Sequence, residues 1–422
     1  MRKILLLIIA LHVTLFANPK NLDDLIGIAL KNNIDIQIAN ANIEAKKAAL
    51  DYESASYLPQ VSVEGELAQY YIKNDTYKDD DQVIGGKASI DQLIYDFGGT
   101  SSKISAAQSD YNASVKQLDS STELVIINVK EAYYKILNKS QLINVSSEAV
   151  KIDELQLDQA SEYFKAGVRT RIDVTNAQLQ LSNSKLDLLK GEFALESEIT
   201  NLISILGIKL EKNFSVQKDG TDIVSLAKQI VPMNEDKDKL TEKALKDRSE
   251  IALYKANVSV AQAAVSAARS GYYPKIFLNA TYNEKSTDLI SLNNRQISGG
   301  VYVKWDIFTG FSSEAKVKEY LAKLTRSKAD LRDVQLQITQ EVINAYLEVK
   351  KSEDSTKMQL LSVDLATQNL SLAQQRYQAG LSDMIELNDA KLGYTKSKGD
   401  LVDTYYGYLL SIAKLNYVTA KR

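Results

Sequence analysis

The chain has 422 residues, with 51 Lys plus Arg, 54 Asp plus Glu, one His and no Cys, for a net charge of −3 at pH 7. Without cysteine there is no thiolate nucleophile, no disulfide and no thiolate metal site, and the near-balanced charge offers nucleic acid no basic surface. Only four prolines interrupt it, and its richness in Ala, Leu, Gln, Ser, Lys and Asp favours long helices over a string of small domains.

Residues 1–17, MRKILLLIIALHVTLFA, place Arg2 and Lys3 ahead of an apolar run from Ile4 to Phe16. That is the build of a secretory signal peptide, too short to cross a bilayer as a helix. Cleavage is expected after Ala17, although Leu15 is larger than the residue usual at that place. The mature chain keeps 49 basic and 54 acidic residues, net −5, and loses His12, its only histidine. Imidazole bases and His-built zinc sites go with it, so no enzyme, metal site or cofactor is expected. No cysteine follows the cleavage site, so no lipid anchor is expected either.

The remainder is a duplication. "IALKNNIDIQIANANIEAKKAALDYESASYLP" (28–59) parallels "KALKDRSEIALYKANVSVAQAAVSAARSGYYP" (243–274), with Ala29 matching Ala244, Ile36 Ile251, Ala48 Ala263 and Pro59 Pro274 at a shift of 215. Gly99 matches Gly310 at 211, and Tyr133 matches Tyr346 and Gly167 Gly380 at 213. The expected boundaries are a signal peptide at 1–17, a first repeat at 18–206, a linker at 207–240 and a second repeat at 241–422.

Each repeat reads helix, strand, loop, strand, long helix, break, helix. In the first, strands are expected within about 61–95: Val61, Val63 and Leu67 alternate with Ser62, Glu64 and Glu66, the period of two of a sheet with one apolar and one wet face. In the second, within about 275–307, Ile276, Leu278, Ala280 and Tyr282 and then Val301, Val303, Trp305 and Ile307 keep the same phase. "IKNDTYKDDDQ" and "EKSTDLISLNNR" read as polar loops between the strands, with the KDDD at 78–81 a charged loop rather than a cation site. Trp305 suits an interfacial aromatic belt.

From Thr100 to Ala166 and from Phe311 to Ala379, runs of 67 and 69 residues, there is neither Gly nor Pro. As helix each would be on the order of 100 Å long. Leu118, Val125, Val129, Ala132 and Ile136 recur at threes and fours, answered by Leu331, Ile338, Val342, Ala345 and Val349, as in coiled coils. Gly167 and Gly380 then break the helices, with hairpin tips expected at about 164–175 and 377–388.

Four strands are too few to close a barrel, and an apolar outward band over a polar inner face is the pattern of an outer-membrane barrel. Three chains contributing four strands each would close the edges with 12. A soluble sheet packed on its own helices has the same alternation.

These residues carry a resemblance to the TolC-like outer-membrane efflux family. The whole mature chain resembles it: the "ALKNN" opening, "SYLPQVSVEG" and "GYYPKIFLNA" ahead of the strand pairs, "LIYDFGG" and "WDIFTG" closing them, and the two aromatic-x-x-Gly breaks. The resemblance implies a mostly α fold with a small β part, assembled as a homotrimer with an α-helical barrel and a 12-stranded transmembrane β-barrel. It also implies a passive exit duct, in the outer membrane and reaching into the periplasm, of a tripartite efflux or type I secretion system. Its partners would be a periplasmic adaptor (membrane fusion) protein and an inner-membrane pump of RND, ABC or MFS type. The unperiodic 207–240, with Pro232, would help form a belt around the tunnel.

By position after Gly380, Glu386 and Asp389 match the family's paired constriction aspartates, and three copies would stack two acidic rings that favour cations. Asp173 lies near the first break, and Tyr377 matches the family's tip tyrosine. Gly167, Val168, Gly380 and Leu381 are the expected adaptor-contacting tips. Where well-known members carry an arginine two residues after the second glycine, this chain has Ser382; Arg169 and Arg171 are candidates to replace that tether, though no spacing rule selects them. From the residues alone, Glu386 and Asp389 also read as a solvated first turn favoured by the helix dipole, and Tyr377 and Phe164 as packing residues. The rival functions are a soluble periplasmic coiled-coil scaffold or adaptor, and a hydrolase relying on carboxylates alone.

Overall fold

The computed structural model describes residues 19–73, 78–209, 214–217, 220–286 and 294–421; the leader expected at 1–17 lies outside them. In chain order the elements are α1 (Leu22–Asn32), α2 (Ile34–Ser54), β1 (Gln60–Lys73), β2 (Lys78–Tyr95), α3 (Gly99–Lys165), α4 (Arg171–Leu206), α5 (Ile223–Ala227), α6 (Lys237–Asp247), α7 (Ser249–Arg269), β3 (Lys275–Ser286), β4 (Asn294–Lys304), α8 (Ser312–Gln378) and α9 (Met384–Val418). The duplication is thus visible in the structure, two helix–strand–strand–helix–helix repeats with long helices of 67 residues each. The chain divides into two compact units: one takes the residues up to Gln37, Ser121–Asp247 and Ile338 onward, the other Ile38–Ser120 and Arg248–Gln337.

The second unit holds the sheet. Its order is β1-β2-β3-β4, each neighbour antiparallel, so β2 and β3 join the repeats and β1 and β4 are its edges. One face is apolar and bare: Val61, Val63, Leu67, Ile90, Leu278, Ile297, Val301 and Val303 are all exposed, Val63 at 81%. On the other face polar groups pair across the strands. Ser62 and Ser89 hydroxyls lie 2.8 Å apart, Asn279 donates to Asp91 at 2.7 Å, and Lys285 meets Glu66 at 3.0 Å. Trp305, just beyond β4, donates its indole N–H to the Tyr272 carbonyl at 3.1 Å and stays half exposed.

The strands outrun the apolar alternation. Most of "IKNDTYKDDDQ", read above as loop, is strand, since β1 continues to Lys73 and β2 begins at Lys78; β3 likewise runs to Ser286 and β4 starts at Asn294. The ladder is made by backbone groups, which pair whatever side chains they carry. At the opposite end of β2, Asp96 caps α3, accepting from the Thr100 amide at 2.6 Å and its hydroxyl at 2.8 Å, a favourable place for an acid.

The first unit is a helical bundle. Along α8 the buried residues Val342, Val349, Thr356, Val363, Leu370 and Tyr377 fall seven apart, the coiled-coil spacing. Side-chain contacts join the four long helices. Lys185 of α4 meets Glu154 of α3 at 3.1 Å; Tyr394 of α9 donates to Glu148 of α3 at 2.7 Å; Gln359 of α8 donates to the Ser397 carbonyl of α9 at 3.0 Å. Lys391 of α9 also reaches Ser184 of α4 at 3.1 Å, and Ala160, Ala177, Tyr377 and Leu387 share one apolar cluster, so all four helices meet around a common core. The stretch between repeats is not bare linker: Asp222 caps the short α5, whose Ile223 and Ala227 pack on Leu137, Val145, Leu401 and Tyr406. Among the described residues no helix is long and apolar enough to cross a membrane.

Candidate functional site

The two helix breaks are built alike. Gly167 and Gly380 take φ of 74° and 72°, left-handed values that strain any side-chain-bearing residue. At each, the glycine amide and the next amide turn back on the helix end. Gly167 donates to Phe164 at 3.0 Å and Val168 to Tyr163 at 2.9 Å; Gly380 donates to Tyr377 at 3.1 Å and Leu381 to Arg376 at 2.9 Å. This pair of bonds satisfies carbonyls that the helix would otherwise leave open. Val168 and Leu381 stand out at the two tips, both exposed.

The return helices start on acids. Asp173 accepts from the Thr170 amide at 3.0 Å and hydroxyl at 2.9 Å, completing a capping box for α4. Asp383 caps α9 by accepting from the Glu386 amide at 3.0 Å. Glu386 and Asp389 lie one turn apart on the same exposed face, yet they differ. Arg376 holds Glu386 with Nε at 2.8 Å and Nη2 at 3.4 Å. Asp389 has no such partner among the described residues, so it carries the uncompensated charge of the pair.

Tyr377 occupies the middle of the tip core, 1% exposed, among Ala160, Ala177, Leu370, Ala373, Met384 and Leu387. Burial raises its phenol pKa, opposed by the Arg169 charge. Arg169 joins the two tips. Its Nη2 donates to the Ser382 carbonyl at 2.8 Å and the Tyr377 carbonyl at 3.3 Å, and its guanidinium stands 4.7 Å from the Tyr377 ring centre. A cation from the first repeat thus clasps the second at the Tyr377 and Ser382 carbonyls. Its targets are carbonyls, which no side-chain pattern announces.

Sequence reasoning missed a polar layer one step from the tips. Lys391 of α9 lies 2.7 Å from Asp153 of α3 and 3.1 Å from the Ser184 hydroxyl of α4, which itself donates to the same carboxylate oxygen. One signal was available: Lys391 follows Met384, Leu387 and Ala390 on the buried face of α9, a place a solvated lysine would avoid. Farther along, Lys398 and Tyr394 both donate to Glu148, at 2.6 and 2.7 Å. Among the described residues no group of three or more His, Cys, Asp or Glu is placed to hold a metal ion.

The family model described as "Outer membrane efflux protein" matches residues 25–208 and 240–418, one match per repeat. The chain is 22% identical over 397 residues to Protein CyaE of Bordetella pertussis, covering 90% of this chain and 81% of that protein. It is also 22% identical over 419 residues to the probable efflux pump outer membrane protein TtgC of Pseudomonas putida, covering 95% and 83%. Among solved structures, the CmeC outer membrane channel of Campylobacter jejuni superposes with a TM-score of 0.83 at 18% identity over 95% of this chain and 85% of that one.

Proposed function

Because this chain belongs to the outer membrane efflux protein family, we propose that it is the passive exit duct of a tripartite efflux or type I secretion system, a homotrimer gated at its hairpin tips. The sheet carries this reading. A bare apolar face, a paired polar face and two unlike edges, β1 and β4, suit head-to-tail joining of copies into a closed cylinder with lipid outside and water within. Three copies supply 12 strands. The duct spans the outer membrane and extends into the periplasm.

The tips do the gating. Val168 and Leu381 meet a periplasmic adaptor, and an inner-membrane pump supplies the work. Asp389, with Glu386 behind it, lines the constriction, and three copies focus negative potential there, admitting cations more readily than anions. Arg169 holds the tips of the two repeats together at rest.

In planar bilayers the purified protein is expected to conduct with cation selectivity. Asp389→Ala should reduce the selectivity more than Glu386→Ala, whose charge Arg376 already offsets, and the double change should reduce it most. Unchanged selectivity in the double variant would remove the acidic constriction. A stable monomer, freely soluble without detergent, would remove the duct itself and leave a periplasmic scaffold.

A further inference from the structure

We propose that the hollow where the sheet meets its helices, walled by Lys103, Lys275, Lys304 and Lys316, binds a soluble amphiphilic organic anion, a phosphate, sulfonate or carboxylate carried on an apolar body. The site lies within one chain. That it opens to water rather than to lipid rests on the duct reading above, in which the polar face of the sheet lines the lumen.

The sheet itself singles out the place. Lys275 of β3 and Lys304 of β4 are direct partners across the antiparallel ladder, so both ammonium groups leave the same face from Cβ atoms about 5 Å apart. Like charges set opposite each other destabilise a sheet, and neither lysine forms an ion pair among the described residues. Every other described charge of the strands has a partner. Lys87 lies 3.7 Å from Glu64, Lys285 3.0 Å from Glu66 and Arg295 2.9 Å from Glu284, while Asp91 accepts from Asn279 at 2.7 Å. A sheet that matches its described charges elsewhere and repeats one at a single rung marks that rung for something other than stability.

Two further lysines come from the helices. Lys103 of α3 and Lys316 of α8 line the same hollow, about 780 Å³ in volume, a size that suits a small organic ligand. They too lack an ion pair among the described residues. The carboxylates there are fewer and partly engaged: Asp91 holds Asn279, Asp96 caps α3, and Asp306 alone has no partner among the described residues. α8 starts on the hollow as well, at Ser312 and Ser313, and a helix start adds partial positive charge. Glu314, in its first turn, is taken by Lys318 at 2.7 Å. Leu58, Leu93, Tyr273 and Phe277 supply an apolar wall. Four cations against one uncommitted acid call for an anion, and the wall calls for a body attached to it.

The test uses full-length protein in phosphatidylcholine nanodiscs, with 1-naphthyl phosphate as the probe and isothermal titration calorimetry as the readout. The probe should bind at least about tenfold more tightly than 1-naphthol, which keeps the body, or inorganic phosphate, which keeps the charge. Lys275→Gln with Lys304→Gln should weaken binding about tenfold or more, Lys316→Gln less, and Lys285→Gln, on the same face but paired with Glu66, not at all. Relieved of repulsion, the double variant should melt no lower than the parent in the absence of probe, which a structural role for these lysines would not allow. Should it fail to fold, Lys275→Glu, which can pair with Lys304, takes its place and should melt higher and bind equally poorly. Binding unchanged in these variants, or equal for 1-naphthol, overturns the site. Loss of binding when about a third of the lipid is phosphatidylglycerol would give the hollow to a lipid headgroup and overturn the soluble occupant. A trimer that does not bind the probe overturns the site and leaves the duct reading standing; a monomer that binds it does the reverse.

Discussion

Lys391 Nζ lies 2.7 Å from Asp153 Oδ2 with the two side chains 3% and 0% exposed, so α9 and α3 are joined by an ion pair cut off from solvent. The layer around it is only partly satisfied: the second oxygen of Asp153, the Gln156 amide nitrogen and the Asn388 amide oxygen are buried without a hydrogen-bond partner. Such a pair contributes little net stability over an apolar replacement, yet removing one member strands the other charge at a cost of about 3–5 kcal/mol. Lys391→Met is therefore expected to lower the denaturation midpoint strongly, and Asp153→Leu added to it should recover most of the loss. Thermal melting of the detergent-solubilised protein reads both. A Lys391→Met variant as stable as the parent would mean that water reaches Asp153.

Arg169 reaches two carbonyls of the other repeat, at Tyr377 and Ser382. Hydrogen bonds from a charged donor contribute about 1.5–3 kcal/mol, so Arg169→Ala should speed amide exchange around both breaks by roughly tenfold or more, each tenfold being about 1.4 kcal/mol. If the clasp restrains the gate, conductance of the variant in planar bilayers should rise as well. Exchange that speeds up at 167–171 but not at 380–383 would show that Arg169 orders only its own turn.

What the sequence revealed was what repeats locally. Val342, Val349 and the strand alternation around Val61 and Val301 were legible because coiled-coil and sheet faces impose periods of seven and two on neighbouring residues. Arg169 was legible only as a candidate, because its partners are carbonyls more than 200 residues away. Asp153 and Lys391 stayed hidden because a charge on a long helix looks solvated until the helix opposite is known. The strand ends were misjudged for a related reason: backbone pairing carries on past the last apolar side chain. α5 was lost in 207–240 because five residues are too few to show a helical period.

Glu148 offers a pH handle. Partial burial pushes its pKa up, but hydrogen bonds from Lys398 and Tyr394 and the Lys398 charge outweigh that, and the pKa lies below its ordinary value. A carboxyl with a depressed folded-state pKa adds stability above its unfolded value, about 4.3, and that stability is lost as pH falls through the folded value. The carboxyl is 41% exposed, so screening limits its effect to about 1 kcal/mol or less. Glu148→Gln should flatten the decline in melting temperature below about pH 4.5 and leave the neutral-pH slope unchanged. An identical acid profile in parent and variant would place the acid sensitivity elsewhere.

Glu353 fastens the segment between the repeats. Lys357 holds its carboxylate at 2.6 Å and Lys350 lies 3.6 Å away, while the carboxylate accepts from the Met233 amide at 3.2 Å. Lys350 also donates to the Met233 carbonyl at 2.6 Å, and Tyr408 to that of Val231 at 2.5 Å. The Lys357 bond, opposed by burial and aided by the Met233 amide, lowers the Glu353 pKa, so the carboxylate is charged throughout the neutral range. Both lysines keep 39–49% exposure and can rehydrate once Glu353 is gone; the Met233 amide loses its acceptor. The expected loss for Glu353→Ala is therefore about 1–3 kcal/mol, concentrated on the strap rather than the bundle. Trypsin should cut after Lys228 or Lys237 several-fold faster in this variant than in the parent. Glu348→Ala, which removes only an exposed pair with Lys351, is the control and should leave the cutting rate unchanged. Equal rates in Glu353→Ala and the control would mean that the remaining contacts, those of Tyr408, Lys350 and the Lys421–Glu235 pair, hold the strap down without Glu353.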